Sequence, residues 1–186
     1  MPKKNILLLA FSVLLILSGC VEVTFPEAMP MNRCDKNQFP KSWQGDWTFS
    51  ESEQSDELEE NLSIHSQYIS FGDDQVILDD DNLLRKFAGY YILNSKTENS
   101  QRWSLLLAKR DKDILHIYHF DGKDEEKVKI WEALLKEDTE NGFKTIRKGE
   151  ESSDKIKEYQ LNPKKNKVFR ELLKSGGLTH MGDYIR

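Results

Sequence analysis

Histidine and aspartate side chains are the groups in this sequence whose spacing could support metal binding. His116 and His119 form the closest histidine pair, and Asp73-Asp74 and Asp79-Asp80-Asp81 form two aspartate runs. The histidines lie in a segment with the alternation of a β-strand, where residues three apart point to opposite faces, so one strand cannot aim both imidazoles at one ion. The aspartate runs lack the alternating ligands and the glycine of a calcium-binding loop. We therefore expect no metal site.

Residues that could act as nucleophiles or as acid–base pairs do not form a recognisable catalytic set. No serine stands in the strand-to-helix elbow motif of hydrolases. With 32 acidic residues in the chain, no single pair of carboxylates stands out as a general acid and base. The sequence therefore predicts a protein that is not an enzyme and that needs no cofactor.

The first twenty residues have the composition of a leader segment. Lys3 and Lys4 precede an apolar run over residues 6–17, which ends in Leu17-Ser18-Gly19-Cys20. A helix needs about 20 apolar residues to cross a bilayer, so this run is too short to do so comfortably. A cationic start, an apolar run and small residues, in that order, indicate a secretory signal. An N-terminal anchor helix that is never removed is the alternative.

The sequence Leu17-Ser18-Gly19-Cys20 resembles the lipobox of bacterial lipoproteins. That resemblance implies removal of residues 1–19 as a signal peptide and attachment of a diacylglyceryl group to Cys20. In that family an aspartate after the cysteine is the commonest signal for inner-membrane retention. This chain has Val21 there, which favours the outer membrane. Two or three acyl chains hold a protein stably on a bilayer, whereas one chain does so only marginally.

Charge and cysteine content limit the possible partners. The chain has 27 basic and 32 acidic residues, a net charge of −5, and it becomes more negative once Lys3 and Lys4 leave with the leader. Binding to nucleic acid depends on neutralising phosphates with Lys and Arg, so no nucleic-acid partner is expected. Cys34 is the second of two cysteines. If Cys20 carries lipid, Cys34 has no partner for an internal disulfide.

The sequence divides into a proline-containing linker and one domain. Pro26, Pro30 and Pro40 interrupt residues 20–41, which show no hydrophobic period and predict a tether between membrane and domain. Residues 42–186 have the length of a single domain.

Short alternating segments between turns predict that this domain is mainly β. In residues 102–108 and 114–120, alternate positions share one face, which carries Trp103, Leu105 and Leu107 in the first segment and Ile114, His116, Tyr118 and Phe120 in the second. Asp121-Gly122 predicts a tight hairpin turn that returns into a strand at residues 126–135. The whole pattern gives eight or nine short strands in an antiparallel meander.

The hydrophobic period changes after residue 162. Asn162 and Pro163 predict the start of a helix near residues 163–175, which Gly176-Gly177 ends. Its apolar stripe consists of four residues at helical spacing, namely Val168, Phe169, Leu172 and Leu173.

A meander followed by one helix resembles a lipocalin-like barrel. In that superfamily Gly-x-Trp opens the first strand, and Gly45-Asp46-Trp47 matches that motif. The resemblance implies a closed barrel of about eight strands with the C-terminal helix packed outside it. It also implies an arginine packed over Trp47, for which Arg147 is a candidate. Bacterial members can be outer-membrane lipoproteins, which agrees with the lipobox.

Two functional hypotheses follow. In the first, a lipid-anchored envelope protein binds a small apolar molecule inside its barrel, with Trp103, Tyr118, Phe120 and Trp131 as the ligand-binding residues. In the second, the domain is an interaction or assembly subunit that docks a protein of the cell envelope through its exterior, and the barrel is packed solid. Enzymatic activity is the third hypothesis and the least favoured one.

Overall fold

The computed structural model describes residues 21–50, 61–98, 100–148 and 155–186. The predicted signal peptide 1–19, Cys20 and the acidic segment 51–60 lie outside the described residues. In the described part, nine antiparallel strands form one sheet that is nearly closed into a barrel. The prediction of a mainly β barrel with a C-terminal helix is thus confirmed.

The barrel is a meander in chain order. Its strands are β2 (Gly45–Ser50), β3 (Leu62–Ile64), β4 (Tyr68–Phe71), β5 (Asp74–Ile77), β6 (Asn82–Phe87), β7 (Tyr90–Lys96), β8 (Trp103–Asp111), β9 (Ile114–His119) and β12 (Thr179–Ile185). Each strand pairs with its neighbour in this order, except at a seam between β5 and β6, the two edges of the sheet. Strand β12 joins the two halves by pairing with both β9 and β2.

A second layer lies between β9 and β12 in the chain. It contains helix α1 (Glu125–Asp138), β10 (Phe143–Arg147), β11 (Ile156–Leu161) and helix α2 (Asn166–Lys174). Strand β1 (Glu22–Thr24) runs parallel to β11, which in turn pairs with β10, so a three-stranded sheet forms beside the two helices.

The predicted strand at residues 126–135 is wrong, because α1 occupies that segment. The side chain of Asp124 caps the helix by accepting hydrogen bonds from the backbone N–H groups of Glu126 and Lys127. Trp131 and Leu135 are spaced one helical turn apart, and both are completely buried. Asp121-Gly122 therefore leads into a helix and not into a hairpin.

Helix α2 confirms the predicted C-terminal helix with a later start. Its first residue is Asn166, and Lys165 is the N-cap without a side-chain hydrogen bond. Asn162 does not cap it, because its side chain accepts a hydrogen bond from Arg102 and donates one to the backbone carbonyl of Asn141. Phe169, Leu172 and Leu173 form the buried face, as their spacing predicts.

Two hydrophobic cores lie on opposite faces of the barrel wall. The interior core is enclosed by the barrel and consists of Phe39, Trp43, Trp47, Leu62, Ile64, Ile69, Leu84, Leu93, Leu115, Ile117 and Tyr184. The outer core lies between the barrel and the second layer and includes Phe25, Met29, Ile92, Leu105, Leu107, Phe120, Trp131, Leu135, Phe169 and Leu172.

The segment predicted as a tether is part of this fold from Val21 onward. Phe25 and Met29 are completely buried in the outer core. The backbone of Phe25 pairs with that of Trp103, with N···O distances of 2.8 and 2.9 Å. Farther along, the backbone N–H of Lys36 donates to the carbonyl of Leu84 on β6 at 2.7 Å, beside the seam of the barrel. The segment that contains the three prolines therefore packs along the barrel.

A buried asparagine side chain holds this segment against the barrel. Asn94 on β7 is completely buried. Its side-chain oxygen accepts a hydrogen bond from the backbone N–H of Met29 at 2.6 Å, and its nitrogen donates to the Met29 carbonyl at 3.0 Å. One side chain thus satisfies both backbone groups of a buried residue.

We predict that Asn94→Ala lowers the free energy of unfolding by about 2–4 kcal/mol, because both backbone groups of Met29 lose their partners inside the protein. Urea denaturation of the full chain measures this loss. Asn61→Ala, at an exposed position before β3, is the matched control and should change stability by less than about 0.5 kcal/mol. Equal effects of the two substitutions would contradict the packed N-terminal segment.

Candidate functional site

The barrel interior contains a cavity of about 40 Å³. Apolar and aromatic side chains from six strands and the N-terminal segment surround it, among them Phe39, Trp43, Leu84, Leu106 and Leu115. An engineered cavity that binds benzene measures about 150 Å³, so this interior is close to a filled core.

None of the four residues predicted to bind an apolar ligand lines this cavity. Along β8, Leu105 and Leu107 belong to the outer core, whereas Leu106 and Ala108 pack into the interior. The predicted alternation is therefore right, but the face that carries Trp103 and Tyr118 is the outer one. Both faces of β8 are apolar because each covers a core, so hydrophobicity alone did not reveal which face is inside.

The four residues occupy different surroundings. Phe120 and Trp131 pack edge-to-face in the outer core with ring centroids 5.6 Å apart, and Trp131 also donates a hydrogen bond to the carbonyl of Gly177 at 2.7 Å. Tyr118 is half-buried at the margin of that core. Trp103 is half-buried at the start of β8. They do not form one pocket.

Trp47 closes one end of the barrel. It is 1% exposed, and its indole N–H donates to the carbonyl of Trp43 at 2.7 Å. The guanidinium groups of Arg186 and Arg110 lie over its ring, 4.8 and 5.3 Å from the centroid. The arginine expected over Trp47 is thus not Arg147, which lies on β10 in the second layer.

Gly45 allows Arg186 to reach this position. A Cβ atom on Gly45 would collide with Nη2 of Arg186, and the φ angle of Gly45 is +119°, which other residues rarely adopt. Arg186 also donates hydrogen bonds to the carbonyls of Gln44 and Ser42. Both motif residues therefore take part in the contact with Arg186, since Gly45 leaves space for the guanidinium group and Trp47 provides the ring beneath it.

A cluster of two histidines and one aspartate lies on the outer face of β9 and β12. One carboxylate oxygen of Asp183, Oδ1, is 2.7 Å from Nδ1 of His116 and 2.6 Å from Nε2 of His180. The three donor atoms lie within 4.8 Å of one another, a spacing that could hold a metal ion. All three side chains are between 25% and 40% exposed, so solvent can reach them.

Two tyrosines border this cluster. The ring of Tyr118 lies 5.2 Å from that of His180 and 5.7 Å from that of Tyr90. Burial raises the pKa of Tyr118, and the neighbouring Tyr90 and Asp183 raise it further. Burial likewise raises the pKa of Tyr90. A phenol is protonated at neutral pH even without such a shift, so both side chains can donate hydrogen bonds.

The sequence prediction missed this cluster because its residues meet across strands. His116 and His119 lie three apart on β9 and do not form the pair. Asp183 lies directly opposite His116 on β12, and His180 lies opposite Tyr118. The pairing of β12 with β9, across an insertion of about 60 residues, could not be deduced from the spacing of either segment.

Other candidate residues lie apart from this cluster or outside the described chain. Cys34 is a free, exposed thiol on the N-terminal segment. Within the described ranges, no helix has both the length and the apolar character needed to cross a membrane. A comparison of the chain with family models, curated proteins and solved structures gave no match.

The assignment of inner and outer faces predicts different effects for two adjacent residues. Leu115→Ala should lower the free energy of unfolding by about 2–5 kcal/mol, because it opens a larger void in the interior core. Ile114→Ala, on the opposite face of β9 where the side chain is 38% exposed, should cost about 1 kcal/mol or less. Urea denaturation compares the two. A reversed order would mean that the faces are assigned wrongly.

Proposed function

We propose that this protein is a lipid-anchored component of a bacterial cell envelope that acts through its outer surface, with the barrel as a rigid scaffold. The anchor is the diacylglyceryl group expected on Cys20, and the outer membrane is the expected location. The domain is an interaction or assembly subunit, without enzymatic activity. Its partner is another protein of the envelope.

The observation that carries this proposal is the position of β1 immediately after the expected lipid. Strand β1 begins at Glu22, two residues after Cys20. Thr24 is 1% exposed and donates a hydrogen bond to the carboxylate of Glu158, while Arg102 donates to the hydroxyl of Thr24 at 2.7 Å. Because β1 is held in this way, acyl chains on Cys20 would enter the bilayer directly beside the folded domain.

This attachment would fix how the barrel is oriented. Val21 lies against Gly122, where an added Cβ atom would come within 2.8 Å of the Val21 side chain. Gly122 follows the end of β9, so the lipid belongs at that end of the barrel. The end closed by Trp47 and Arg186 is the opposite one, beside the turn from β8 to β9, where the backbone N–H of Arg186 donates to the carbonyl of Asp113. It would point away from the membrane.

The size of the interior favours surface binding over transport of an apolar molecule. A cavity of about 40 Å³ is small beside the roughly 300–1,000 Å³ of pockets that hold drug-sized ligands. Binding of a fatty acid would require the barrel to lose much of its interior core. The arginines over Trp47 support the resemblance to a lipocalin-like barrel. The small cavity favours a barrel of that kind whose interior is packed solid.

Among the described residues, the exposed outer face of β9 and β12 is the surface best suited to such contacts. Ile114 and Ile185 are cross-strand partners on this face and are 38% and 44% exposed. The cluster of His116, His180 and Asp183 lies next to them on the same strands. Apolar side chains beside polar hydrogen-bonding groups are typical of protein interfaces.

The two cysteines offer a matched test of the anchor. We predict that Cys20→Ala abolishes incorporation of radiolabelled or clickable fatty acid and moves the protein from the membrane fraction to the soluble fraction of the cell. Cys34→Ala is the control, since its exposed thiol plays no part in anchoring, and it should remain labelled and membrane-bound. Acyl labelling and fractionation of the full chain measure both effects.

The proposal fails if the Cys20→Ala variant still carries fatty acid or stays in the membrane fraction after a high-salt wash. Loss of labelling in Cys34→Ala would equally contradict the assignment of Cys20.

A further inference from the structure

A β-bulge in β12 brings two residues to one face that a regular strand would separate. His180 and Asp183 are three residues apart, so they would point to opposite faces of an uninterrupted strand. The pairing of β12 with β9 shifts by one residue between His180 and Gly182. This shift restores His180 to the outer face, beside Tyr118, while Asp183 stays opposite His116. Bulges are frequent where a side chain must be redirected at a functional site.

The redirected side chains converge on one point. Oδ1 of Asp183 lies 2.7 Å from the His116 nitrogen and 2.6 Å from the His180 nitrogen. In a tetrahedral site with metal–ligand distances of about 2.0–2.2 Å, neighbouring donor atoms lie roughly 3.3 Å apart. A small rotation of the side chains is therefore enough to admit an ion between them.

We propose that His116 Nδ1, His180 Nε2 and Asp183 Oδ1 bind a late first-row divalent metal ion, with Zn²⁺ as the reference ion. Two imidazoles and one carboxylate suit zinc, nickel or copper, whereas calcium and magnesium select sites made of oxygen donors alone. Three protein ligands leave one tetrahedral position, which a water molecule would fill.

The surroundings of the cluster are compatible with a bound cation. The charge of Asp183 offsets one of the two positive charges of the ion. Lys109 lies opposite His116 on β8, but its side chain is exposed, so water screens its charge. The two imidazoles bind the ion in their neutral forms, so metal binding competes with their protonation.

Titration of the metal-free full chain with Zn²⁺, against a chromophoric chelator, tests this site. We expect one ion per chain in this cluster. His116→Asn, His180→Asn and Asp183→Asn should each weaken binding by about 100-fold or more, since loss of even an outer-shell partner costs about 10–100-fold. His65→Asn is the control, because its exposed ring stacks on Tyr68 in a different part of the barrel. It should retain the wild-type affinity.

A spectrum of the unmutated protein tests the site even if the variants fail to fold. X-ray absorption of the zinc-loaded full chain should show two imidazole nitrogens and at least one oxygen at about 2.0–2.2 Å. Unchanged zinc affinity in His116→Asn and His180→Asn, a spectrum with oxygen ligands alone, or no stoichiometric binding by the unmutated chain would each overturn the proposal. The cluster would then be only a hydrogen-bonded group that stabilises the bulge.

Discussion

A buried ionic contact reinforces the backbone pairing of β1 with β11. Glu158 on β11 is 5% exposed, and burying a carboxylate without partners would cost several kcal/mol. Thr24 donates a hydrogen bond to it, and Nε of Arg102 lies 3.6 Å away. Burial lowers the pKa of Arg102, while Glu158 opposes this change. Arg102 is the residue before β8, so the contact joins β1, β11 and the start of β8, and the N-terminal segment, the barrel and the second layer meet at one point.

The barrel wall serves two cores, and this explains the unusual composition of its strands. Leu106 and Ala108 face the interior, while Leu105 and Leu107 of the same strand face the second layer. A strand that is buried on both faces loses the clear alternation of polar and apolar residues. The barrel can therefore be nearly solid inside, while Ile114 and Ile185 on the outer faces of β9 and β12 are 38% and 44% exposed.

The sequence allowed the meander, the Gly-x-Trp strand and the C-terminal helix to be predicted, because each depends on local pattern. The predictions from the sequence were wrong where contacts between distant residues determine the structure. The pattern of residues 126–135 predicted a strand, but Asp124 caps a helix there. The Asp121-Gly122 pair, interpreted as a hairpin turn, hid this capping signal. Residues 21–41 read as a tether, since the partners of their backbone groups, above all Asn94, are distant in the chain. The His116–His180–Asp183 cluster depends on a strand pairing and a bulge that no local pattern encodes.

The chain is folded from Val21 onward, so a lipid on Cys20 would hold the domain itself against the membrane. Amide hydrogen exchange of the full chain can measure this packing at the backbone N–H groups of Phe25, Met29 and Lys36, which are hydrogen-bonded to Trp103, Asn94 and Leu84. We expect these amides to exchange as slowly as those in the centre of β8. Exchange at the rate of an unstructured peptide would contradict it.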